Sequence, residues 1–438
     1  MLRKSRLLLA GGLSAALVMA TAAVAMTNLA GADTLVSHHE FQVDCSFVNH
    51  LPDDPIVFPN QPGASHNHTF VGNISTNAGS TTNSLLAGTS TSCLNPDDLS
   101  AYWFPTMMNG TTPILPVGPQ VIYYKSGILD YTKVQPFPQG LRFLAGSPMA
   151  TQSQFQTAPG AVEGWECGNS SFNWDFPANC TVGTELNVRY QAPSCWDGVH
   201  LDTGDHRSHM AYPVNGVCTA DHPVPVPMLE FKIAFPVSGD MSQVHLSSGR
   251  GFSWHFDFFN AWDPATLATL VTHCIDGGLQ CDSRGFDLYK PDRGTALDQN
   301  YRLPANEPTV INRAGWKATA TNTGGSDVPA NMFDGNQNTR WSTGTPMAPG
   351  QSVTVDMGTT HPVKQVTLDS GNNTDDPAAY QVLLSTDGTN WGNPMATGPG
   401  TGPLMVVHFP ATNARFIKVV QTGTSSAWWS MTEFNAYS

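Results

Sequence analysis

All eight cysteines of this 438-residue chain lie before residue 282, and none lies after it. An even set of cysteines in an exported chain predicts disulfides, and disulfides confine a loop-rich segment to few folds. No Cys-x-x-Cys spacing occurs, which speaks against a thiolate zinc site or a dithiol redox centre. Joining sequence neighbours predicts the pairs Cys167–Cys180, Cys195–Cys218 and Cys274–Cys281, leaving Cys45 with Cys93. Export is predicted by residues 1–32. Arg3, Lys4 and Arg6 precede an apolar stretch from Leu7 to Ala25, and small residues mark cleavage points after Ala25 and Ala32, the second preferred. An uncleaved anchor is the alternative, because the stretch is about long enough to span a bilayer. The expected product is a secreted, extracellular protein, off the membrane once its signal is removed.

Removing the leader takes away three of the 20 basic residues and no acidic one, so 17 basic residues face 34 acidic ones. That balance offers no footprint for nucleic acid or an anionic membrane. Charged residues are only 12% of the chain, while Gly and Pro are abundant. Such a composition predicts a mainly β protein rich in turns. Apolar runs at Val121–Tyr124, Leu141–Leu144 and Leu229–Phe235 read as strands. One helix is predicted over Asp263–His273, with Asp263 as cap, Pro264 in the first turn, and Leu267, Leu270 and Val271 as an apolar stripe. The chain divides into a disulfide-bonded β unit over 33–302, a linker at 303–310, and a cysteine-free unit over 311–438. Alternation in Ser352–Asp356 and Phe416–Val420 marks that last unit as an antiparallel sandwich.

Twelve of the fourteen histidines belong to the first unit. Within it, Trp254–Phe258 reads as a strand that turns Trp254, Phe256 and Phe258 to a core and His255 and Asp257 to the opposite face. His66 and His68 share that spacing; on a strand both imidazoles would face one side and hold Zn²⁺ or Cu²⁺ with a third ligand. Loop histidines bonded to backbone carbonyls are the plainer alternative. Asp197, His200 and Asp202 follow Cys195, whose disulfide would hold their loop still, and His209 and Tyr212 come next. That constellation suits acid–base chemistry on a rigid support, or, with Asp205 and Arg207, an ordinary polar loop.

Two resemblances extend this reading. Residues 330–344, 349–356 and 428–435 resemble the discoidin domain, also called the coagulation factor five/eight type C domain, across nearly all of 311–438. The resemblance implies an eight-stranded jelly-roll sandwich that in bacterial relatives serves as a carbohydrate-binding module. Asp334, Asn336 and Thr339 offer oxygen ligands around a Gly turn, as Ca²⁺ requires. The resemblance adds Glu433 as a closing carboxylate of a structural calcium site; a simple tight turn is the alternative. Trp391, Trp428 and Trp429 are candidates to stack on a sugar, although buried tryptophans are commoner. Segments 41–45, 65–70, 101–105, 194–202, 208–212 and 254–258 are similar to the secreted domain of unknown function 1996, a family whose name carries no mechanism.

Three functions compete. In a glycoside hydrolase, Asp257 with Asp197 or Asp202 would form the carboxyl pair, tuned by His255. In a polysaccharide lyase, His200 or His209 with Tyr212 would remove a proton, but anionic substrates need cationic clamps, and Arg189, Arg207 and Arg250 are few. In the third, the histidines hold a metal or structure, and the chain is a non-catalytic wall-binding adhesin. Gly-x-Ser-x-Gly is absent, so serine-hydrolase chemistry has no support. A module that binds polysaccharide or cell-wall glycan raises the local concentration of substrate for its neighbour. This suits an enzyme acting on polymeric carbohydrate, and equally a wall-binding protein; the hydrolase is the leading reading, and a monomer is expected.

Overall fold

The computed structural model of the protein describes residues 39–88, 90–168, 173–283, 285, 309–371 and 375–438. The leader 1–32 and residues 303–308 of the linker lie outside them.

Two sheets face each other in the first unit. One has six strands, in the order Gln280–Cys281, Glu40–Cys45, Gln120–Lys125, Met228–Phe235, Leu186–Gln191 and Gly164–Cys167. The other has five: Phe47–Leu51, His68–Gly72, Ala101–Pro105, His255–Phe259 and Arg142–Gly146. Their aromatic inner faces interlock, with Phe231 of the first stacked on Phe256 of the second at 3.8 Å between centroids and edge-on to Tyr102 at 6.1 Å. All three apolar runs read as strands lie in these sheets. The helix runs from Pro264 to Leu270 and continues as a wider turn over Val271–Ile275. Asp263 accepts a hydrogen bond from the Thr266 N–H, and Leu267, Leu270 and Val271 are buried. The four disulfides join the neighbours expected: Cys45–Cys93, Cys167–Cys180, Cys195–Cys218 and Cys274–Cys281.

Two local expectations need correction. Trp254 ends a short turn over Gly251–Ser253 and is not in the strand, which starts at His255. The alternation holds, since Phe256 and Phe258 join the inter-sheet core, but the opposite face is not open. It is roofed by a second apolar cluster that includes Ile56, Phe70, Leu85, Trp103 and Leu144. Every residue of His255–Phe259 is therefore buried. Likewise, only His68 lies on a strand; His66 precedes it in a loop.

The second unit has eight strands: six in one sheet around the long strands Ser352–Asp369 and Leu404–Gln421, and two, Trp341–Met347 with Ser425–Met431, in another. Trp341 and Trp429 cross edge to face between them. The units are not separate beads. Tyr437, in the last strand, is buried in the first unit's core cluster and bonds to the Gly277 carbonyl. Tyr131 of the first unit is fully buried against Asn435, 3.3 Å, and Glu433, 3.4 Å. This shared buried interface predicts that the two units unfold in one transition. Tyr131→Ala should cost about 3 kcal/mol and resolve calorimetric melting into two transitions; an unchanged single transition would contradict this coupling.

Candidate functional site

The polar half of His255–Phe259 meets two other segments. Across the sheet, Asp257 sits between Trp103 and Leu144, and His255 opposite Gly146. From the start of the next-but-one strand His68 reaches the same place, with its Nε2 3.4 Å from the Nε2 of His255. The His66 ring lies 4.2 Å from that of His68 and 5.1 Å from that of His255, between centroids. Asp54 comes from the loop before them. Its Oδ1 accepts from the N–H groups of Ile56 and Val57, closing a turn that roofs the site. Asp53 pins the same loop through Gly63 and Ala78.

One ligand atom each from His66, His68 and His255 lies within 4.8 Å of the others, and the same holds for Asp54, His68 and Asp257. Both oxygens of Asp257 and Nε2 of His66 are buried with no hydrogen-bond partner among the described residues. Burial pushes the Asp257 carboxyl well above its usual range, aided by Asp54 and opposed by Arg207. Burial also raises Asp54. It lowers His66 to about 3 and His68 to about 4, and drives His255 well down, with His68 and His66 adding to that shift.

The residues after Cys195 do something different. Asp197 binds the His200 ring at 2.6 Å and the N–H groups of Val199 and His200, folding a surface turn. Asp202 is held by Arg142 at 2.8 Å and by His206 at 2.8 Å. His206 takes the left-handed backbone conformation (φ 58°) that lets its ring turn back. His209 is fully buried; one ring nitrogen faces the Arg142 carbonyl at 3.0 Å and the other the Thr203 hydroxyl, also at 3.0 Å. These groups fasten the loop to the Arg142–Gly146 strand. Among the described residues, no hydrogen bond or ion pair joins Asp197 or Asp202 to Asp257. The carboxylate grouped with Asp257 around His68 is Asp54, which sequence reasoning missed because Asp53-Asp54-Pro55 reads as an ordinary turn.

A cavity of about 480 Å³ opens beside this site, lined by Gly146, Met149, Phe155, Tyr190, Arg207 and Tyr212 among others. Arg207 binds the Gly146 carbonyl, opposite His255, and its charge reaches both His255 and Asp257. Tyr212 donates to the Gln191 carbonyl at 2.9 Å and forms part of the wall, so it is placed to touch a ligand but is not a free base.

In the second unit, Asp334 accepts from the Asn336 N–H (2.9 Å) and from the Thr339 hydroxyl (2.6 Å), which closes the predicted turn. Glu433 is buried and bound to Arg313 through Oε2, leaving Oε1 without a partner. Burial raises Glu433 to about 8 despite Arg313. The four residues thus fit a cation in part: one orphaned buried oxygen is available, and the other carboxylate oxygen is taken by an arginine. Of the candidate stacking residues, Trp429 is fully buried, Trp391 lies beneath the Lys418 ammonium, and Trp428 is 44% exposed.

Two families match separate segments of the chain. Residues 54–262 match the family described as "Domain of unknown function (DUF1996)", and residues 317–434 match the F5/8 type C domain. The chain is thus a unit of that first type followed by a discoidin-type module. A galactose oxidase of Gibberella zeae is 30% identical over 149 residues, covering 31% of this chain and 22% of that protein. A sialidase of Micromonospora viridifaciens is 35% identical over 106 residues, 22% of this chain and 16% of the relative. The chain therefore spans about a fifth of the curated relatives it matches. Among solved structures, a family 32 carbohydrate-binding module from Clostridium perfringens in complex with galactose shares 25% identity, over 30% of this chain and 99% of that one, at a TM-score of 0.27. Another module from that organism, in complex with GalNAc-beta-1,3-galactose, shares 25% identity over 30% of this chain and all of the other, at a TM-score of 0.28.

His209→Ala should remove two buried hydrogen bonds, one of them a tie between the loop and the Arg142 carbonyl, and cost about 1–3 kcal/mol of stability, read by urea unfolding. His200→Ala, on the exposed turn, should cost less than about 0.5 kcal/mol. Equal losses in the two variants would overturn the assignment of His209 as an anchor.

Proposed function

We propose that this is a secreted, glycan-directed hydrolase: the C-terminal module holds a polymeric carbohydrate while the N-terminal unit cleaves its glycosidic bonds. The observation that carries the reading is the cavity bordered by Gly146, Arg207 and Tyr212, whose lining residues Gly146 and Leu144 pair across the sheet with His255 and Asp257. Aromatic walls with a few placed polar groups suit a sugar ring, whose faces are apolar and whose rim carries hydroxyls. The F5/8 type C match, and relatives named galactose oxidase and sialidase, support carbohydrate as the partner. Four disulfides, with no helix among the described residues long and apolar enough to cross a membrane, support an extracellular location.

Hydrolysis of a glycoside needs one group to protonate the leaving oxygen and another to activate water or attack carbon. In this reading those roles fall on Asp54 and Asp257, and Arg207 and Tyr212 position the sugar. A lyase would need more cations around the cavity than Arg207 supplies. In the second module we propose Ca²⁺ at Asp334, Asn336, Thr339 and the orphaned oxygen of Glu433, as a support for the turn and not for catalysis.

The decisive assay is reducing-sugar release across a panel of polysaccharides. Asp257→Asn and Arg207→Ala should each lower kcat/KM by about a hundredfold or more, while His200→Ala should not. Release by native protein on no glycan would favour a wall-binding adhesin. Trp428→Ala should weaken retention on the same insoluble glycan by roughly 1–2 kcal/mol and leave cleavage of short soluble substrates unchanged. Chelation should lower the melting temperature by several degrees if the calcium site is filled; an unchanged melt removes it.

A further inference from the structure

The pair of nitrogens at the centre of the site poses a problem that the protein alone does not solve. Nδ1 of His68 lies 2.9 Å from the Asp53 carbonyl, and Nδ1 of His255 lies 2.9 Å from the Ser253 carbonyl. A carbonyl oxygen only accepts, so each Nδ1 carries the proton. Each Nε2 is then a bare lone pair, and the two point at each other across 3.4 Å. His66 brings a third ring nitrogen to them, its Nε2, which is buried without a partner among the described residues. The two lone pairs repel each other in a buried space, and the unpartnered His66 nitrogen adds to the cost. A proton shared between two rings would leave His66 and both oxygens of Asp257 unsatisfied, and would place a charge in apolar surroundings.

We propose that His66, His68 and His255 form a binding site for one divalent transition cation of the zinc class, with Asp257 and Asp54 as its charge-balancing neighbours. Each part of the geometry serves that role. The carbonyls of Asp53 and Ser253 orient two rings and fix their tautomers, as partners behind metal-bound histidines do. Three imidazoles suit a cation of borderline softness, and a set of three protein ligands leaves a position for water. A water on that cation would offer Asp257 the hydrogen-bond donor that both of its oxygens lack. His66, on a loop and only half-buried, provides the side through which the cation enters.

This inference depends on the hydrolytic reading only for what the cation does, namely activate water beside the cavity, and not for whether it binds. The test uses full-length protein made without a histidine tag, loaded with ZnCl₂, dialysed and assayed by elemental analysis, with Co²⁺ substitution read by visible absorption. About one equivalent of zinc is expected, with cobalt bands of a nitrogen-rich, low-coordinate site. His66→Ala changes a loop residue and should keep the fold, yet weaken zinc binding by about tenfold or more; His255→Ala should abolish it. His222→Ala should bind like native protein. Less than about a tenth of an equivalent in folded native protein, or native affinity in His66→Ala, would overturn the site. Zinc bound stoichiometrically by a protein that cleaves no glycan would support the site and overturn the hydrolytic reading alone.

Discussion

The structure of the first unit depends on one strand, His255–Phe259, being buried on both faces. Its Phe256 and Phe258 close the core between the two sheets. His255 and Asp257 must then be accommodated beneath a roof made by Asp53, Asp54 and Ile56. A buried carboxyl and a buried imidazole are costly unless their polar atoms find partners. Here some do: His68 and His255 each have a backbone carbonyl behind them. Others do not: Nε2 of His66 and both oxygens of Asp257 are orphaned, and the two residues belong to ligand groups that share His68.

The loop after Cys195 makes this arrangement usable. Asp202, His206 and His209 are spent on fastening it to the Arg142–Gly146 strand, the neighbour of His255–Phe259. The Cys195–Cys218 bridge limits its freedom further. What the fastening achieves is the position of Arg207. Its guanidinium reaches the Gly146 carbonyl between the open cavity and the buried site, linking a place where a ligand can enter to the groups that can act on it.

The second unit is joined to the first by more than a linker. Tyr131 is enclosed by Glu433 and Asn435, and Tyr437 by the first unit's core. Glu433, the carboxylate expected to close a calcium site, lies at this interface and is shared with Arg313. A carboxylate that serves an interface is less free to serve an ion.

Periodicity and cysteine spacing, which are local properties of the chain, sufficed for the mainly β class, the disulfide pairs and the capped helix. They also brought attention to His66, His68, His255 and Asp257. Local pattern could not say that Asp54 would join them, because a carboxylate before a proline looks like any turn until the loop folds back over the sheet. Nor could it separate Asp197 and Asp202, which serve surface turns and loop anchors, from Asp257: all three have the same side chain, and only their burial and partners differ. Sequence alone determined which elements form and which residue types they carry. Tertiary structure decided which of those residues meet, because long-range strand pairing sets what lies opposite His255 and what covers it.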